Sequence, residues 1–288
     1  MTVQEQLQTY KACVERALEE YAFPSADEKL REAMRYSLLA PGKRLRGCLC
    51  LAGCEMAGGK AEDALPFAMA LEMIHAYSLI HDDLPAMDND TLRRGLPTNH
   101  VVYGEAMAIL AGDGLLTEAF RVMGESENPN ALKALAEVAA CAGAEGMAGG
   151  QAMDVSLEGT SPDKETVRRI HEGKTAALIR AAVLSGMICA GADAEQLKAG
   201  AEYAYNLGIA FQIVDDLLDI TGDEKQLGKH AGKDIQEGKL TWVAAVGERQ
   251  ARIDAGAHTD AAVRTLQCFG NKAEFLQGLA IYILSRVK

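Results

Sequence analysis

Two stretches, "LIHDDLPAMDND" (Leu79 to Asp90) and "FQIVDDLLDITGD" (Phe211 to Asp223), each set an Asp pair at the end of a long apolar run. The upstream runs, Phe67 to Ile80 and Ala201 to Val214, are apolar or small around nearly the whole helical wheel, as in a helix buried on most sides. Carboxylates ending such a helix start inside the protein, where an unpaired charge must neutralise or find a partner. The helix C-terminus repels an anion by roughly 0.3–1 kcal/mol more. One acidic pair alone reads as a solvated helix end. Two matched clusters call for a strong cation, and grouped carboxylates select a hard divalent ion. Mg²⁺ fits best, because it uses one or two carboxylates and takes substrate phosphates for the rest of its shell. A phosphorylated ligand is therefore implied with the metal.

Asp82 and Asp88 are six residues apart, so an unbroken helix would turn them about 240° from each other. Pro85 predicts a break that lets both acids reach one site. Asp215 and Asp219 are i and i+4 and share a face with Phe211 and, more loosely, Gln212.

Only 7 Pro, abundant Ala, Leu, Met and Glu, and few aromatics predict an all-α chain, taken as one unit over residues 1–288. No period-2 segment with hairpin turns stands out. Helices are expected over about 2–21, 26–39, 62–83, 99–123, 130–157 and 194–220, the last stopped by Gly222, with a final one over 272–287. Another should open with Ser161 as N-cap and Pro162, bend at Gly173 and run to Cys189. Basic residues collect in "APGKRLRG" (Lys43, Arg44, Arg46) and in the connection holding Arg93 and Arg94. The first group reads equally well as a solvated patch. Lys174 and Thr175 sit beside Gly173 in an otherwise apolar segment, where a lone lysine more often snorkels than binds. Gln151 and Asp154 fall in a Gly/Ala-rich stretch that permits close backbone approach. "GDEKQLGKHAGKDIQEGK" holds Lys225, Lys229, Lys233 and Lys239 without the spacing of a nucleotide P-loop, and reads as a mobile cationic lid.

A formal charge of −12 argues against nucleic acid or anionic membrane as partner, so a phosphate substrate must be captured by local metals and cations. The 7 Cys match no zinc spacing and read as reduced core thiols, hence a cytoplasmic setting. The N-terminus has no signal-peptide pattern, and no run of about 18 apolar residues could span a bilayer.

"YSLIHDDLPAMDNDTLRRG" and "FQIVDDLLDITGD" resemble the two aspartate-rich motifs of short-chain trans-isoprenyl diphosphate synthases. "GKRLRG", "GGQAMD", "EGKTAALI" and "LGKHAGKD" resemble further motifs of that family, in the same order. The resemblance implies an isoprenoid-synthase-type helical bundle around a deep central cavity, a homodimer and three Mg²⁺. Asp82 and Asp88 would bind two ions with Asp83 assisting, and Asp215 the third with Asp216 and Asp219. Isopentenyl diphosphate would meet Lys43, Arg46, His75 and Arg94. The allylic diphosphate would meet Arg93, Lys174, Thr175, Gln212, Lys229 and Lys239, with Lys174 and Arg93 acting at the breaking bond. The implied reaction is Mg-dependent head-to-tail condensation.

The spacing from Asp82 to Asp88 resembles that of bacterial farnesyl and plant-type geranylgeranyl synthases, and Tyr77 resembles the farnesyl type. Farnesyl diphosphate is thus the expected product and geranylgeranyl diphosphate the alternative. On the wheel Ser78 lies under Asp82, but it is too small to stop a growing chain, so Tyr77 is the candidate floor. A terpene cyclase would mix Asn, Ser or Thr with Glu in the second motif. A non-catalytic partner subunit of a heteromeric prenyltransferase would have lost a motif. Three positions depart from the family pattern: Gly47 where Pro is usual, Thr91 where Asp is common, and "GKLTWVAAVG" for a Lys-x-Thr-Tyr-Pro sequence.

Overall fold

Local signals set most helix boundaries in the computed structural model, which describes residues 1–23, 27–161, 163–221 and 239–287. Pro162, the stop at Gly222 and the cationic lid apart from Lys239, with Lys229 in it, lie outside the described residues. Helix α1 (Val3–Glu20) opens with a capping box in which Thr2 and Glu5 satisfy each other's backbone amides, and it buries Tyr10, Val14 and Leu18. Helix α2 (Glu28–Leu38) is capped by Asp27, and α3 (Leu45–Met56) is buried without interruption from Gly47 to Cys54. Helix α4 (Ala61–Asp82) is buried from Phe67 to Ile74 and again at Ala76 and Ile80, as its all-round apolar pattern requires.

A two-stranded antiparallel hairpin follows, β1 (Leu92–Arg93) and β2 (Leu96–Pro97), too short to leave a period-2 signal. The helix expected over 99–123 is divided at Gly104, whose φ of 86° breaks the ladder between α5 (Asn99–Tyr103) and α6 (Glu105–Gly124). The one expected over 130–157 is likewise divided into α7 (Ala131–Ala142) and α8 (Met147–Leu157).

Asp163, not Ser161, caps α9 (Lys164–His171), its carboxylate accepting from the amides of Glu165 and Thr166. The bend expected at Gly173 is a π-helical turn over Glu172–Ala176, continued by α10 (Ala177–Cys189). Helix α11 (Ala194–Thr221) carries the second acidic cluster at its end. After Lys239 come α12 (Trp242–Val246), α13 (Glu248–Thr265), a 3₁₀ stretch over Leu266–Ala273 and α14 (Glu274–Ser285), later and shorter than the expected final helix.

Helices α3, α4, α10 and α11 form the inner layer: α4 packs on α3, α6 and α10, while α10 also meets α3, α7 and α11. The fold is all-α. All seven thiols are free; five are buried, while Cys13 is half-buried and Cys268 exposed, so the core reading holds for five. No described helix is long and apolar enough to cross a membrane.

Candidate active site

Both acidic clusters sit where a buried helix runs out. At the end of α4 the chain reverses through Pro85 so that the Asp88 amide donates to the Asp82 carbonyl at 2.8 Å. Asn89 adopts a positive φ of 50° to complete the turn. The expected break therefore brings Asp88 back beside Asp82. Gln151 on α8 donates to Asp82 Oδ1 at 3.0 Å. Burial raises the Asp82 carboxyl above its usual range; Lys174 opposes this and Asp88 adds to it. Asp83 turns to another partner, accepting from Arg93 Nε at 2.6 Å, and burial still pushes it up to about 6. Arg93 also lies 3.5 Å from Asp90.

In the second cluster the three carboxylates separate by environment. Asp215 is the most open and accepts from Arg286 at 3.0 Å, whereas Asp216 and Asp219 are buried. Asp216 Oδ2 accepts from the Trp242 backbone amide at 2.7 Å and lies 3.6 Å from His171 Nε2. Its Oδ1 accepts from Gln212 at 3.0 Å, and Gln212 in turn accepts from Thr175 Oγ1 at 2.8 Å. The relay Thr175–Gln212–Asp216 thus joins the π turn to the acidic cluster. Beside it, Lys174 Nζ donates to Asp154 Oδ2 at 2.6 Å, so the lysine is ion-paired at the site and does not snorkel to solvent. Burial pushes His171 down to about 3 and leaves it neutral.

The cations of "GKRLRG" divide by role. Arg44, at φ 49°, is buried, bonds the Ala40 carbonyl at 2.9 Å and pairs with Glu15 and Glu72; it is a structural residue, not part of a solvated patch. The Gly47 amide donates to Glu72 at 2.9 Å, a bond that proline could not make, which gives that departure a physical basis. Arg46, His75 and Arg94 converge: burial and then the two arginines hold His75 well below its usual value. Burial also lowers Arg46 to about 10, and its Nε is buried without a hydrogen-bond partner. Arg94, at φ 53°, lays its guanidinium over Gly42, where an added Cβ would sit 2.6 Å from it. Lys43 is exposed within the fields of Arg286, Asp215 and Arg94. His75, Asp83, Arg93 and Arg94 line one small cavity. Of the predicted cations, Arg46, His75 and Arg94 thus lie together, Arg93 and Lys174 lie beside carboxylates, and Lys239 Nζ reaches 3.6 Å from Asp88.

Among the described residues no three His, Cys, Asp or Glu side chains converge into a protein-only metal cage. The donor chemistry nevertheless fits Mg²⁺. The clusters offer only carboxylate oxygen, burial raises Asp82 above its usual range, and the adjacent cations suit a phosphate that would complete the shell.

Trp242, His171 and Arg286 are neighbours of the acidic clusters that the sequence motifs do not mark. Trp242 was visible only as a departure from the motif, while tertiary contact alone brings His171 and Arg286 in. Tyr77 is half-buried with its ring edge-on to His81 at 5.8 Å; burial and then Asp82 raise its phenol. Ser78 Oγ donates to the His75 carbonyl at 3.0 Å.

Helical architecture, paired acidic clusters and adjacent cations make a site of the kind that suits a divalent metal with a phosphate ligand. The polyprenyl synthetase family profile matches residues 27–269. The geranylgeranyl diphosphate synthase of Cyanophora paradoxa is 49% identical over 260 residues, 88% of this chain and 87% of that one. A dimethylallyltranstransferase of Fischerella ambigua is 46% identical over 278 residues, 95% of this chain and 80% of that one. Among solved structures, an FPP/GFPP synthase from Zymomonas mobilis superposes with a TM-score of 0.86 at 36% identity, covering 98% of each chain. A geranylgeranyl pyrophosphate synthetase from Pyrococcus horikoshii gives 0.89 at 32% identity, again over 98% of each. The chain belongs to the polyprenyl synthetase family, whose chemistry is prenyl transfer.

Proposed function

We propose that the chain joins isopentenyl diphosphate head-to-tail to an allylic diphosphate. The observation that carries this reading is the arrangement of two carboxylate clusters with Lys174, Lys239, Arg93 and the Lys43–Arg46–His75–Arg94 group around them. Asp82, Asp88 and Asp215, assisted by Asp83, Asp216 and Asp219, would hold Mg²⁺, three ions by family resemblance; when bound it would supply charge neutralisation to the leaving diphosphate. Lys174 and Arg93 add positive charge at the leaving group, with Thr175, Gln212 and Lys239 around it; by family resemblance Lys229 would join them. The second diphosphate rests on Lys43, Arg46, His75 and Arg94, which presents the isopentenyl double bond to the allylic cation. That bond attacks, the new C–C bond forms, and the released diphosphate takes the proton that restores the alkene. Buried helices α4 and α11 keep water from the cation.

The named relatives weigh toward a geranylgeranyl product, and that reading is taken first. Tyr77 supports the farnesyl reading, because a bulky half-buried ring five residues before Asp82 suits a floor under a growing chain. Mass analysis of products from the purified chain with Mg²⁺, isopentenyl diphosphate and dimethylallyl, geranyl or farnesyl diphosphate separates the two. Extension of farnesyl diphosphate to twenty carbons supports the first reading. A stop at fifteen supports the second, and Tyr77→Ala should then lengthen the product. No turnover at all would favour the non-catalytic subunit.

Mg²⁺ and inorganic pyrophosphate together should raise thermal stability by more than the sum of each alone, since each completes the other's site. Strictly additive shifts would mean separate sites. The exposed Val101, Val102, Ile109 and Leu110 on α5 and α6 suit the proposed homodimer, which sedimentation can test. Residues 1–288 would form one catalytic unit, in a reducing cytoplasm that suits free thiols.

A further inference from the structure

The segment beginning at Lys239 touches both acidic clusters within four residues. Lys239 Nζ lies 3.6 Å from Asp88 Oδ2, and the Trp242 amide donates to Asp216 Oδ2 at 2.7 Å. Leu240 and Trp242 are buried, and Trp242 is the only tryptophan in the chain. Its indole is fixed on several sides. The ring stacks on His171 at 5.8 Å with an interplanar angle of 23°, and Nε1 donates to Asp254 Oδ2 at 2.9 Å. Lys164 pairs with the same carboxylate at 2.9 Å and lies 5.4 Å from the ring centroid. Gln250 donates to the other oxygen of Asp254 at 2.8 Å. Helices α9, α12 and α13 therefore all contribute to holding one side chain. With the indole locked, its backbone amide has a fixed direction, and that direction is toward Asp216. The orientation of Asp216 passes on through Gln212 to Thr175.

From this arrangement we infer that Trp242 is a positioning residue for the Mg²⁺–diphosphate site: its anchored indole fixes the 239–242 backbone, which orients Asp216 and holds Lys239 against Asp88. The inference rests on the diphosphate site proposed above. Partners that orient metal ligands are worth roughly 10–100-fold in metal affinity, whereas a core tryptophan with no such role would affect stability alone.

The test is calorimetric titration with Mg²⁺ and inorganic pyrophosphate, alongside fluorescence of the single tryptophan. Wild type should bind pyrophosphate only when Mg²⁺ is present, with a change in Trp242 emission at the same stoichiometry. Asp254→Asn and Trp242→Phe each remove or weaken the indole anchor while sparing ring packing. Each is a partial loss and should weaken Mg²⁺–pyrophosphate binding about 3–10-fold, below the roughly 10–100-fold range for full loss of such a partner, whereas Trp242→Leu should weaken it about 30-fold, within that range. Folded Asp254→Asn and Trp242→Phe proteins that bind as wild type does, whatever their loss in Tm, overturn the inference. Those two variants decide the matter if Trp242→Leu does not fold. Failure of wild type to bind pyrophosphate with Mg²⁺ would instead sink the site reading on which the inference depends.

Discussion

Asp82→Asn and Asp215→Asn should each lower turnover by on the order of 10²–10³-fold or more, the scale on which loss of one charge-stabilising group is felt at a developing anion. That corresponds to about 3–4 kcal/mol of transition-state stabilisation. The two variants should differ in stability without Mg²⁺. Asp82 is a half-buried carboxyl raised by desolvation and by Asp88, and asparagine retains an acceptor for Gln151, so Asp82→Asn should hold or gain stability. Asp215 is more open and pairs with Arg286 at 3.0 Å, so its loss should cost up to about 1 kcal/mol, as for partly exposed ion pairs. Steady-state kinetics at saturating Mg²⁺ and thermal melts of the metal-free proteins check both halves. Wild-type turnover in both variants would remove the carboxylates from the mechanism.

What the sequence disclosed follows from how local each signal is. The burial of α4 and α11 was legible because an apolar wheel needs no knowledge of partners, and Pro85 announced the reversal that returns Asp88 to Asp82. The division at Gly104 was less legible, since a glycine within a helical pattern shows its positive φ only in three dimensions. The roles of the cations in "GKRLRG" could not be separated by spacing. Arg44 is the structural member because Glu72, 28 residues away, is buried beside it. Arg286 and His171 lay beyond reach for the same reason, as each gains meaning only from an aspartate in α11. Trp242 registered as a motif departure, but its anchoring by Asp254 is a tertiary fact.

Gly150→Ala should lower kcat by about 10²-fold, because the substitution moves the backbone that carries Lys174 and Thr175, and displacement of about 1 Å at a reacting centre costs that much. Gly150 on α8 faces the π turn, where a Cβ would sit 2.5 Å from the Gly173 carbonyl carbon and would overlap the Lys174 amide nitrogen. Backbone atoms cannot rotate aside as a side chain can, so the turn itself must shift. Lys174 would then lose its alignment with Asp154, four residues along α8 from the mutated glycine, and Thr175 its bond to Gln212. Overpacking of this kind costs about 1–3 kcal/mol of stability, so the variant should melt earlier but still fold. Gly256→Ala on α13, where an added Cβ meets nothing within 4 Å, is the control. It should keep turnover and hold or gain up to about 1 kcal/mol from helix propensity. If Gly150→Ala melts early yet turns over as wild type does, the π turn tolerates displacement, and the Lys174–Thr175 geometry is not set by this contact.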